Sequence, residues 1–147
     1  MIGLLIPHAE QPSELVRALT WAPLSAVYTS PVDRAVETAQ PLANDHGFDA
    51  RVRNALTDAA GSEALADVQR RVVSELMALA KSHPDETIAI VTHADPIRCA
   101  LAAFGDTALE DMREMEISPS HVSAIGITAS GVRRVLGVNV PAVDMAV

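Results

Sequence analysis

The sequence has a single cysteine, Cys99. An intramolecular disulfide is therefore excluded, and so is any zinc site built from cysteines. Aromatic residues are only 3% of the chain, and Trp21 and Tyr28 are too few to form an aromatic ligand platform. Basic residues are also short, 11 against 19 acidic ones, for a formal charge of −8. Such a field repels a phosphate backbone, which argues against nucleic-acid binding. No run reaches the roughly 18 uninterrupted apolar residues that a membrane span needs. The opening Met1–Ile6 stretch has no basic n-region and is too short for a signal peptide, so a cytoplasmic protein is expected. Internal repeats, linkers and low-complexity segments are absent as well. What remains is a globular composition, 49% apolar and 20% charged over 147 residues. A chain of this length is expected to fold as one domain, 1–147, and to bury about 68–70% of its unfolded surface without a disulfide or metal.

Strand and helix signals alternate. Ile2–Ile6 is a short apolar run ending at Pro7 and reads as a buried strand. Ser13–Thr20 carries apolar residues at helical spacing, and Ala26–Thr29 reads as a second strand. Ser30-Pro31-Val32-Asp33 has the form of a helix start, with Ser30 as cap, proline in the first turn and an acid behind it. That helix is expected to reach about Asn44 and to stop at His46-Gly47. Phe48–Val52 is a weaker strand candidate. Gly61-Ser62 is expected to open the longest helix, in which Leu65, Val68, Val72, Leu76 and Leu79 recur at steps of three and four. His83-Pro84-Asp85 ends it. Thr87–Thr92 is branched and apolar enough for a strand buried on both faces. Asp95-Pro96 resembles the earlier helix start, with the helix running to Phe104 and closed by Gly105. Val122–Thr128 and Val132–Val138 form a hairpin across Ala129-Ser130-Gly131, and the residues after them read as a tail. The pattern predicts a three-layer α/β/α sandwich on a mostly parallel, mixed sheet.

Sheets of this class bind ligands beyond the carboxyl ends of their strands. Three strand ends there carry polar residues: Pro7-His8-Ala9-Glu10, Thr29 to Arg34, and Thr92-His93-Ala94-Asp95. Two of them lead into helix N-termini, where free amides and the helix dipole attract anions. Histidines and an arginine at such places point to an anion site, with phosphate the natural ligand. Arg34 in the first turn of a helix is disfavoured by the dipole unless an anion compensates it. Asp33 and Asp95 read as caps or first-turn acids. His46 and His83 are expected in solvent beside helix ends, His121 at the periphery, and Arg98 as an ordering residue for its helix.

On these residues the chain resembles the histidine phosphatase superfamily, the phosphoglycerate mutase-like proteins. Leu5-Ile6-Pro7-His8-Ala9-Glu10 stands where that family has Arg-His-Gly-Glu. Val27 to Ala39 resembles its Ser-Pro-x-x-Arg-Ala-x-x-Thr-Ala block, and Ile90 to Arg98 resembles its second-histidine block. Ile117 to Ser123 with the closing hairpin is similar to its last strands. The resemblance implies a phosphoglycerate mutase-like fold and a phosphohydrolase, either a phosphomonoesterase or a phosphohistidine phosphatase. It implies that His8 attacks phosphorus and becomes a phosphohistidine, that Arg34 binds phosphate oxygens, and that His93 stabilises the transferring group. Neutral imidazole is a competent nucleophile near pH 7. Phosphoryl transfer otherwise needs positioning and charge compensation, which arginine and histidine supply with no cofactor or metal. A small phosphorylated substrate or a phosphoprotein is the implied partner; the oligomeric state is left open.

Two departures bear on activity. The motif arginine is Pro7 here, which removes a permanently charged planar donor. The stretch between His8 and Arg34 is also shorter than the family's, which predicts a shallower and wetter pocket. An open pocket favours hydrolysis over mutase chemistry. Ala9 for glycine is a mild change. For the proton donor, Leu56-Thr57-Asp58 is nearest to the family's Leu-x-Glu pattern, making Asp58 the candidate, with Glu63 and Glu10 as rivals. A donor acid needs a raised pKa. Two other readings stand beside the enzyme: an impaired family member that binds an anion or a protein partner, and a metal site using His8 and His93 with Glu10 and Asp95.

Overall fold

The computed structural model describes residues 2–5, 12–128 and 130–141. The elements run β1 (Ile2–Leu5), α1 (Pro12–Leu19), β2 (Leu24–Thr29), α2 (Asp33–Asp45) and β3 (Arg51–Val52). A single 3-10 turn, Asn54–Leu56, then leads to α3 (Leu65–Ser82), β4 (Thr87–Val91), α4 (Ala94–Phe104) and α5 (Leu109–Met112). The antiparallel strands β5 (His121–Ile127) and β6 (Arg133–Pro141) close the sheet. Its strand order is β3-β2-β4-β1-β5-β6. The pairings β2·β3, β2·β4 and β1·β4 are parallel, whereas β1·β5 and β5·β6 are antiparallel. The mixed sheet expected from the sequence is therefore present. Among the described residues no helix is long and apolar enough to cross a membrane.

Strand geometry sends alternate residues to opposite faces. In β2, Ala26 and Tyr28 join one buried cluster and Val27 the other. In β4, Ile88 and Ile90 divide from Ala89 and Val91 in the same way. The first cluster is completed by the α3 stripe Val68, Val72, Leu76 and Leu79 and by Ile97, Leu101 and Phe104 of α4. The second is completed by Leu15 and Leu19 of α1 and by Ala35, Ala39 and Leu42 of α2. Helices thus cover both faces, giving the three layers. Gly105 ends α4 where a Cβ would lie 2.9 Å from the Leu101 carbonyl oxygen, a contact only glycine avoids.

Several boundaries differ from expectation. Helix α2 begins at Asp33, with Val32 in the cap position and no side-chain cap, because Ser30 still continues the sheet: its amide donates to Val91 O at 2.9 Å. Helix α3 begins at Leu65 rather than at Gly61-Ser62. The intervening turn is held by Glu63, whose carboxylate accepts from Ala60 N at 3.3 Å and from Arg71. The cap of α4 is His93, and Asp95 is the first-turn acid that was its other expected role, paired with Arg98 at 2.9 Å. Arg98 also donates to Met115 O at 2.7 Å, the ordering role expected of it. The strand expected over Phe48–Val52 is only Arg51–Val52. Strand β6 runs on to Pro141, so Asn139, Val140 and Pro141 of the expected tail are strand; its remaining residues and Ala129 lie outside the described residues.

Leu76 sits at the centre of the α3 face and is fully buried. Leu76→Ala should lower the unfolding free energy by about 2–5 kcal/mol, whereas substitution of the half-exposed Trp21 (48% exposed) by Ser should change it by about 0.5 kcal/mol at most. Urea denaturation of the two variants checks the contrast.

Candidate functional site

Helices α1 and α2 leave β1 and β2 toward one face, while α4 leaves β4, the strand between them, toward the other. The connections therefore part above the carboxyl end of β4, where this class of sheet opens its binding crevice. Lateral bonds stitch the strand ends together there. The Ser30 amide reaches Val91 O, and Arg53 N donates to Thr29 O at 2.9 Å. The Thr92 hydroxyl donates to Leu56 O at 2.6 Å, drawing the Asn54–Leu56 turn against the end of β4.

His93 occupies the cap position of α4 and is only 4% exposed. Its Nε2 lies 2.8 Å from the Ser30 hydroxyl, and Ser30 itself is fully buried. Burial pushes the His93 pKa below its ordinary value of 6.5, and the positive charges of Arg34 and Arg71 push the same way, against the opposing charge of Asp58. A buried imidazole resists protonation because the charged form loses its hydration. Arg34, the second residue of α2, is exposed. Among the described residues its guanidinium forms no ion pair or hydrogen bond. Leu5, at the end of β1, is paired with Val91, two residues before His93. His8 follows Leu5 by three positions and, with Pro7, Ala9 and Glu10, lies outside the described residues.

The two acids that are described stand apart in character. Asp58 is exposed, and its carboxylate accepts from the Ala59 amide at 2.9 Å. Its charge reaches His93. Glu63 is held by two hydrogen bonds from Arg71, at 2.9 and 3.0 Å, and this contact lowers its pKa. A carboxylate kept ionised in this way is unsuited to donate a proton. Arg71 also donates to the carbonyls of Ala55, Thr57 and Asp58, so one guanidinium shapes the whole turn that carries Asp58. Among the described residues no group of three or more metal-ligating side chains occurs.

Two histidines expected in solvent are in fact structural. His46 spans Leu42 O at 3.1 Å and Ala22 O at 2.9 Å, tying the end of α2 to the turn before β2. His83 meets the Tyr28 hydroxyl at 2.7 Å. His121 is at the start of β5, with Nδ1 donating to Pro119 O at 2.8 Å. The residue that sequence reasoning missed is Ser30. It reads as a helix cap from the dipeptide Ser30-Pro31, and only the fold brings His93 to it.

A search of curated proteins gives no match. Among solved structures, Bacillus stearothermophilus YhfR superposes with a TM-score of 0.82 at 19% identity, over 93% of this chain and 96% of that one. The phosphoserine phosphatase of Entamoeba histolytica, in complex with 3-phosphoglyceric acid, gives 0.81 at 14% identity over 95% and 97%. The alpha-ribazole phosphatase of Shigella flexneri gives 0.76 at 16% over 94% and 95%. These likenesses concern the fold. The sequence itself matches the model of the Histidine phosphatase superfamily (branch 1) over residues 9–62 and 55–140, beginning one residue after His8. With nearly the whole chain matched and the fold in agreement, the protein belongs to the histidine phosphatase superfamily.

Proposed function

We propose that the protein is a phosphohydrolase acting on a small phosphorylated substrate or a phosphoprotein through a phosphohistidine on His8. The observation that carries this reading is buried His93 at the carboxyl edge of the sheet within electrostatic reach of Arg34, whose guanidinium has no partner among the described residues. The helix starts at Asp33 and Ala94 carry no side-chain cap, which leaves first-turn amides for an anion. Membership of a phosphatase superfamily and fold relatives that are phosphoserine and alpha-ribazole phosphatases support the same class.

In this reading an unprotonated ring nitrogen of His8 attacks phosphorus and the ester P–O bond breaks. Arg34 and His93 compensate the charge on the equatorial oxygens. Asp58 gives its proton to the leaving oxygen; Glu63, already bound to Arg71, is set aside for that role, and Glu10 is its remaining rival. Water then attacks the phosphohistidine, the P–N bond breaks, and the Asp58 carboxylate accepts the proton of the water. The charge compensation is assigned to side chains, with no metal in any step.

Pro7 favours a second reading, a family member that retains the anion site but lacks the charge for turnover. One comparison separates the two. The wild type should hydrolyse p-nitrophenyl phosphate slowly, EDTA should leave the rate unchanged, and His8→Ala should abolish it. Pro7→Arg should raise the rate by at most about 10²–10³-fold, the worth of one preorganised donor. Wild-type turnover that depends on His8 supports the enzyme; turnover only in Pro7→Arg supports the impaired relative. EDTA-sensitive activity with stoichiometric metal would favour the metal site instead.

The depressed His93 pKa also has a signed consequence for stability. Its folded value lies below its unfolded value of about 6.5. The stability that depends on a neutral ring is therefore complete above pH 6.5 and is lost as pH falls toward the folded value. Denaturant unfolding at pH 7.5 and pH 5 should show a larger loss for the wild type than for His93→Asn.

A further inference from the structure

The Ser30 hydroxyl has two neighbours. The Val32 amide donates to Oγ at 3.2 Å, and His93 Nε2 lies 2.8 Å away. An amide N–H can only donate, so it takes one oxygen lone pair and offers nothing to the hydroxyl proton. Among the described residues the only acceptor within reach of that proton is Nε2. Were Nε2 protonated, the hydroxyl proton of a fully buried serine would be orphaned, which native interiors rarely tolerate. The Ser30 hydroxyl therefore donates to Nε2. A neutral His93 must then carry its own proton on Nδ1, and Nδ1 has no hydrogen-bond partner among the described residues.

We infer that Ser30 is a positioning residue that fixes His93 as the Nδ1–H tautomer, so that the ring offers a neutral N–H donor to the transferring phosphoryl group. The last clause rests on the phosphatase reading; the tautomer does not. The histidine's resistance to protonation agrees with the neutral form. Ser30 is no rival nucleophile. It is fully buried, and its oxygen already accepts from Val32. Its backbone is fixed by the hydrogen bond its amide donates to Val91 O, so the hydroxyl is held by the sheet. A tautomer set by a buried neighbour is ready before substrate arrives, which is where positioning contributes to rate.

The test reads the tautomer directly. Long-range ¹H–¹⁵N spectra of histidine-labelled protein near pH 7.5, with His93 assigned by its loss in His93→Asn, should show Nδ1 protonated and Nε2 bare. Ser30→Ala should release this preference, lowering kcat on p-nitrophenyl phosphate about 10²-fold with KM little changed. Ser30→Thr keeps a hydroxyl and should restore both the tautomer and the rate. If its added methyl prevents folding, the wild-type and Ser30→Ala spectra still decide. Nε2 protonated in the wild type, or a tautomer unaltered in Ser30→Ala, overturns the assignment. A changed tautomer with unchanged kcat overturns the positioning role. A wild type that holds the Nδ1–H form yet shows no His8-dependent turnover removes the phosphatase reading and leaves the tautomer standing.

Discussion

Strand β4 lies between β1 and β2 with helices on both of its faces, and the candidate site depends on where that strand stops. From Ile88 to Val91 every side chain is buried. The first residues that can bring polar groups to the crevice are those just past the strand, Thr92 and His93, and both remain buried. Buried polar groups need partners. Thr92 finds Leu56 O and His93 finds Ser30, so the need to satisfy these two side chains draws two neighbouring segments toward the end of β4. The geometry of the site is in this sense a by-product of polar satisfaction at one strand end.

Much of the scaffold was legible because it rests on local patterns. The stripe from Val68 to Leu79 repeats with the helix period, and its residues are those that face the core. The unbroken apolar run of β4 announced a strand covered on both sides. Polar residues after β2 and β4 could be read as strand-end residues, since this class of sheet has its loops there. The short helix Leu109–Met112 and the turn Asn54–Leu56 were missed because neither is long enough to display a period.

The illegible part concerns contacts across long sequence separations. Ser30 and His93 are 63 residues apart, and Tyr28 and His83 are 55 apart. A histidine beside a helix stop looks solvated until the fold supplies its partner, as Ala22 O does for His46. The start of α3 was misplaced for a related reason. Gly61-Ser62 has the composition of a helix start, but Arg71, two turns into the helix, reaches back to Glu63 and three loop carbonyls and holds the segment as a turn. Nothing local distinguishes Glu63, bound to Arg71, from Asp58, which is exposed.

The Tyr28–His83 hydrogen bond joins places that are otherwise separate. Tyr28 is buried in β2, two residues before Ser30, while His83 stands before β4 begins, at the end of the sheet away from the crevice. The Arg51 guanidinium also donates to the Tyr28 hydroxyl at 3.3 Å, and Arg53 lies over its ring at 5.1 Å. The phenol ring is thus a rigid strut between β3, β2 and the α3–β4 turn. A displacement of that turn would therefore reach the strand that leads to Ser30 through one buried side chain and its hydrogen bonds, although the turn and the crevice lie at opposite ends of β4.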